Sequence, residues 1–130
     1  MRPGRKAVGV AVAAVAVAAV AVPVGGASAS HHKPPPPKPV TVKLKDSFYS
    51  PSKLSVKKDG KIVWKWVSAN TQTHNVTLES APKGVKKSQF DSNNASSNFT
   101  FKTKFVKPGK YHFECTLHPT TMQADVTVKN

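Results

Sequence analysis

Phe99-Thr100-Phe101-Lys102-Thr103-Lys104-Phe105 is followed, after Val106, by Lys107-Pro108-Gly109-Lys110 and then Tyr111-His112-Phe113-Glu114-Cys115. Successive side chains of a strand point to opposite faces, so Phe99, Phe101, Thr103 and Phe105 share one face, as do Tyr111, Phe113 and Cys115. Pro108 and Gly109 preset the dihedrals of a turn between them. The stretch predicts two half-buried strands, and no helical period or internal repeat elsewhere competes with it.

The same period runs back toward the N-terminus. Val40, Val42 and Leu44 alternate with Thr41, Lys43 and Lys45; Leu54 and Val56 give a short strand ended by the Asp59-Gly60 turn. Ile62, Trp64 and Trp66 share a face opposite Val63, Lys65 and Val67, and burial of such large aromatics is a dominant source of stability, which places both tryptophans inside. Thr73 to Leu78 reads as another strand, with His74 at its entrance, and Val126 and Val128 close the chain. Phe48 to Pro51 reads as a break, and Glu79 to Ser97 as a polar loop with at most a short edge strand around Gln89 to Asp91. About seven short strands separated by turn signals predict an all-β fold, a Greek-key β-sandwich over residues 40–130.

Residues 1–29 do not belong to that sandwich. Arg2, Arg5 and Lys6 precede the apolar run Ala7 to Val22, and Ala27-Ser28-Ala29 is the small-x-small pattern of a signal-peptidase site. The run is shorter than the roughly 20 residues a membrane span needs. We therefore expect a cleaved signal peptide, a mature chain starting at Ser30, and a secreted or extracytoplasmic protein. Residues 30–39 form a Pro-, Lys- and His-rich tether that favours extended polyproline II.

Export makes the single cysteine informative, because oxidising compartments pair thiols and Cys115 has no partner in its own chain. Burial, pairing between chains and a metal thiolate are the three ways to keep it. The neighbours favour the third: Cys115, His118 and Met122 put a thiolate, an imidazole and a thioether within eight residues, the donors that suit copper as both Cu(I) and Cu(II). Of the other histidines, His112 lies three residues before Cys115 and points away from its face, and His31 and His32 lie in the tether. His74 remains as the second imidazole.

The formal net charge is +14, three units of it from Arg2, Arg5 and Lys6, and every other cation is Lys. Nucleic-acid recognition leans on Arg and an exported protein rarely meets nucleic acid, so that class is a poor reading; an acidic protein or an anionic envelope surface fits the balance better.

Together these residues resemble a known family, the cupredoxins, small blue copper proteins that include plastocyanin, amicyanin and pseudoazurin. The resemblance covers most of Val40 to Asn130. It is carried by Phe48-Tyr49-Ser50-Pro51, Trp64, His74-Asn75-Val76, Phe90-Asp91-Ser92, Phe99-Thr100-Phe101, Lys107-Pro108-Gly109-Lys110-Tyr111 and Cys115-Thr116-Leu117-His118. It implies one type 1 copper held by His74, Cys115 and His118 with Met122 as a weak axial donor. It also implies that the Asn75 amide donates to the cysteine sulfur while its side chain ties the ligand loops together. Three residues separate His118 from Met122, where plastocyanins have four and amicyanins two, so the axial ligand is the one the spacing defines least.

The implied function is outer-sphere electron transfer by a monomer, not catalysis, with electrons passing near His118 and with Lys83, Lys86, Lys87, Lys102, Lys104, Lys107 and Lys110 steering an acidic redox partner. One four-ligand set in one domain leaves no second histidine cluster for an oxidase or nitrite reductase. Copper carriage without a redox partner stays open, and a lysine-rich envelope-binding module stands behind both. A second Cu(II) site is also expected: with cleavage after Ala29, the α-amine of Ser30, the His32 imidazole and the amides of His31 and His32 offer four nitrogens in a square plane.

Overall fold

The computed structural model describes residues 31–130 without a gap and, ahead of them, only residues 4, 9, 13, 16, 25 and 26. The expected signal peptide, apart from those isolated positions, and Ser30 lie outside the described residues. The chain divides into two units, Met1–His32 and Lys33–Asn130, and every element below belongs to the second. Among the described residues no helix is long and apolar enough to cross a membrane.

Eight strands follow in order: β1 (Val40–Lys45), β2 (Phe48–Ser50), β3 (Lys53–Lys57), β4 (Gly60–Trp66), β5 (Thr77–Ser80), β6 (Thr100–Phe105), β7 (Gly109–Glu114) and β8 (Gln123–Lys129). They form two four-stranded sheets, β2-β1-β4-β6 and β3-β8-β7-β5. The pairs β1–β4 and β3–β8 are parallel and the rest antiparallel, so the chain crosses repeatedly between the sheets. The turn after β6 is one such crossing. Gly109 sits there at φ +138°, and a Cβ on it would come within 2.5 Å of the Pro82 ring, so the position admits only glycine.

Alternation works as the sequence predicts. Val42, Leu44, Ile62, Trp64, Trp66, Phe105, Tyr111, Phe113, Val126 and Val128 are buried between the sheets, while the lysines between them face out. Trp64 packs on Phe113 with ring centroids 4.9 Å apart and donates its indole N–H to Thr103 Oγ1 at 3.0 Å, which removes the cost of burying that polar group.

Three expectations need correction. Phe48–Ser50 is a strand, held by pairing with Lys43–Lys45 and by the Tyr49 hydroxyl, which donates to the Asn75 carbonyl at 2.7 Å. Lys87–Phe90 is a short 3-10 helix rather than an edge strand, and it plugs Phe90 into the core. The strand expected from Thr73 begins only at Thr77, because a side chain and an isolated bridge take the backbone partners ahead of it. Val76 N–H bonds Ser92 Oγ and His74 pairs with Ala95.

Candidate metal centre

Three loop segments meet at the end of the sandwich where β4 and β7 finish. His74 comes from the connection between β4 and β5, Cys115 directly follows β7, and His118 lies in the turn leading to β8. One ligand atom from each of His74, Cys115 and His118 lies within 4.8 Å of the others, which makes them a set able to hold one metal ion. His112 is not part of it; it faces outward from β7, as alternation requires, with Nδ1 2.7 Å from Asp125 Oδ1.

The donors fit a soft transition metal on an observation independent of spacing. His74 is completely buried, and its Nδ1 has no hydrogen-bond partner. A buried polar nitrogen left unpaired is costly, and a metal ion would satisfy it. Its other nitrogen, Nε2, lies 3.0 Å from Asp46 Oδ1. A carboxylate in that place accepts from Nε2–H, which leaves Nδ1 bare and aimed as a ligand.

Asp46 is the functional residue that sequence reading missed. It sits just past β1 and is itself held by the Thr71 and Gln72 amides and by the Thr71 hydroxyl, at 2.8 to 3.2 Å. The Thr71 amide and then the His74 ring keep its carboxyl far below the usual carboxylate range. Trp66 adds a further fixing contact, its indole N–H reaching the His74 carbonyl at 3.1 Å.

Cys115 is also completely buried. Its sulfur accepts from the Asn75 amide at 3.4 Å and stands 3.7 Å from His118 Nδ1. The Asn75 side chain bridges three segments: Nδ2 donates to Asn94 Oδ1 at 2.8 Å and to Thr116 Oγ1 at 2.7 Å, and Oδ1 accepts from the Thr116 amide at 2.9 Å. Asn75 therefore ties the Cys115 segment to the Asn94 segment. Burial of the Tyr49 ring, with the charges of Cys115 and Glu114 adding to it, pushes the Tyr49 hydroxyl up, so it serves as a neutral donor to Asn75.

The loop that carries the last two candidate donors closes on itself. Cys115 N–H bonds the Met122 carbonyl at 3.0 Å, Met122 N–H bonds the His118 carbonyl at 2.9 Å, and His118 N–H bonds the Cys115 carbonyl at 3.0 Å. Met122 is fully buried and continues the inward face of Ala124 and Val126. Beside His118, which is only partly covered, Leu117 is 48% exposed. His31 and His32 are exposed and lie outside the three-residue set.

Comparison with known proteins agrees with this architecture. Among solved structures the chain resembles the copper-containing nitrite reductase of Thermus scotoductus SA-01, with TM-score 0.62 and 20% identity over 72% of this chain but only 23% of that one. A purple cupredoxin from Nitrosopumilus maritimus gives 0.58 and 21% over 69% of this chain and 99% of that one. The oxidised plastocyanin of Dryopteris crassirhizoma gives 0.57 and 22% over 69% of this chain and all of that one. At these identities the likeness is one of fold. No curated protein matches the sequence. A family model described as a cupredoxin-like domain does match, and it spans residues 12–128, so the chain belongs to the cupredoxin-like family.

Proposed function

We propose that this chain is an exported blue copper protein that carries single electrons between partners. The observation that carries the reading is the buried, unpartnered Nδ1 of His74 beside the Cys115 sulfur and the His118 ring. Bound copper would supply one-electron exchange between Cu(I) and Cu(II), with a thiolate suited to the soft ion and imidazoles suited to either. His74, Cys115 and His118 would hold it, with Met122 as the axial donor.

The chain's own part is to hold those donors still and dry. Asp46 and Trp66 fix His74, Asn75 pins the Cys115 and Asn94 segments together, and the sandwich behind them excludes water. A site that does not rearrange between charge states moves electrons with little reorganisation. His118, flanked by exposed Leu117 and Pro119, is the edge through which electrons would pass. A carrier rather than an enzyme fits a chain with one His-Cys-His set among its described residues.

Export rests on the 1–29 pattern, with 30–39 as tether and 40–130 as the copper domain. An acidic redox protein is the partner we infer from the lysine balance. Lys107 and Lys110 flank the start of β7, the far end of the strand from Cys115, so they would act through the long-range field rather than by contact. The second Cu(II) site at Ser30, His31 and His32 rests on the sequence alone. Two equivalents of Cu(II) bound by protein with an authentic Ser30 terminus, and one by His32→Ala, would support it.

The deciding experiment is to add Cu(II) to purified residues 30–130. An intense blue or green colour from sulfur-to-copper charge transfer, absent in Cys115→Ser, is expected. A colourless protein with tightly held Cu(I) would mark a copper carrier instead, and failure to bind copper would end both readings.

A further inference from the structure

The outer face of the β2-β1-β4-β6 sheet carries Lys43 and Lys45 on β1, Lys61 and Lys65 on β4, and Lys102 and Lys104 on β6, all exposed. Register makes the crowding explicit: Lys43 lies directly opposite Lys65, and Lys61 directly opposite Lys104. Like charges in directly opposed positions destabilise a sheet. Among the described residues the carboxylate that answers them is Asp59, 3.4 Å from Lys104 at the margin. The other sheet is mixed, with Glu79, Glu114 and Asp125 among its lysines.

Guarding of a sheet edge accounts for Lys102 and Lys104 on the edge strand β6 but not for Lys43, Lys45, Lys61 and Lys65, because β1 and β4 are interior strands. At its upper end the face is hollowed into a groove of about 460 Å³, lined by Lys43, Lys65, Ser68, Asn98 and Thr100 among others. The two ammonium groups are therefore accompanied by two hydroxyls and an amide, which are donors suited to anionic oxygen.

We propose that this face binds a linear phosphate polymer, one stretch of which lies in the Lys43–Lys65 groove. Three features favour that occupant. Lysine is a point-charge partner for phosphate, whereas protein interfaces deplete lysine and concentrate Arg and Tyr, which this lysine field lacks; Trp66 reaches the groove lining but is almost wholly buried. A groove admits a chain, whereas a planar bilayer cannot follow it. The field also lies on strands rather than on the Cys115–Met122 loop, so binding would not depend on the metal.

The test uses inorganic polyphosphate and metal-free residues 30–130, with affinity measured across a salt series. Binding should weaken steeply with salt. The double variant Lys43→Glu/Lys65→Glu should lose at least about tenfold and flatten the log–log salt slope by roughly two units, one per lost phosphate contact. Lys53→Glu/Lys110→Glu on the other sheet removes the same charge and should change both far less. Thermal melts confirm folding, and Lys43→Gln/Lys65→Gln replaces the first pair if it does not fold. Equal loss in the two pairs would show that net charge alone is read and would overturn the proposal. So would absence of polyphosphate binding, or binding only to vesicles of phosphatidylcholine and phosphatidylglycerol or only to an acidic protein.

Discussion

His74 and His118 offer the same donor from opposite kinds of surroundings. His74 is fully buried, its ring clasped by Asp46, its carbonyl by Trp66 and Ala95, and the next residue riveted by Tyr49 and Asn75 side-chain bonds. His118 is partly exposed on a tight turn, with the Cys115 sulfur 3.7 Å from its Nδ1. The two rings are nevertheless only 4.9 Å apart, centroid to centroid. One side of the centre is thus held fixed and the other open to solvent. Rigidity and access are divided between two loops, the His74 ring being held by side chains from other segments and the His118 ring by its own short turn.

The sharpest way to break this contrast is to delete each imidazole and offer it back. His118→Gly and His74→Gly should both lose the blue charge-transfer band. Free imidazole should restore most of it in His118→Gly, where the gap opens to solvent, and little in His74→Gly, where Asp46, Trp66 and the sheet close the space. Equal rescue, read by visible absorption, would mean that the two sides are equally accessible.

Asp46→Asn comes next. The substitution keeps size but removes the acceptor charge that orients the His74 ring, and loss of such a partner typically lowers metal affinity about 10- to 100-fold. A competition titration for Cu(II) should find that loss, and the melting temperature of metal-free protein should fall as well, because Asn has one acceptor oxygen for the bonds that Thr71 and Gln72 give to both carboxylate oxygens. Replacing Asp91, whose carboxylate bonds the Leu78 amide away from the ligands, should leave Cu(II) affinity alone.

Asn75→Ala should act mainly on stability. It removes two donated bonds and one accepted bond and leaves the Thr116 amide unpaired, so denaturant unfolding of the metal-free protein should lose about 2 to 3 kcal/mol. The smallest change in binding is expected from Met122→Leu, which should keep copper and colour while raising the reduction potential, because losing a soft neutral donor costs Cu(II) more than Cu(I). An unchanged potential in voltammetry would take Met122 off the metal.

The division between fixed and open sides also explains what could be read from sequence. Cys115 and His118 were legible because their relation is local: three residues and one turn separate them. The sandwich was legible because alternation over β1, β4, β6, β7 and β8 follows directly from the pleat. Asp46 was not, since it lies 28 residues before His74 and meets it only because parallel pairing of β1 with β4 brings the end of β1 beside the connection that follows β4. The start of β5 was misread for a related reason. Val76 has strand composition, but Ser92 from a distant loop caps its amide, and no local pattern announces that. Phe48–Ser50 is too short to show a period and is a strand only because β1 lies beside it.

The hydrogen bonds from Cys115 to Met122 and from His118 to Cys115 make the stretch between β7 and β8 a cassette with its own joints. Three of the four candidate donors travel on it, while His74, Asp46 and Asn75 belong to the socket that receives it. A loop of different length or donor content, grafted between Glu114 and Gln123, would therefore meet a socket already formed, and the spacing of its histidine and methionine could be varied without redesigning either sheet.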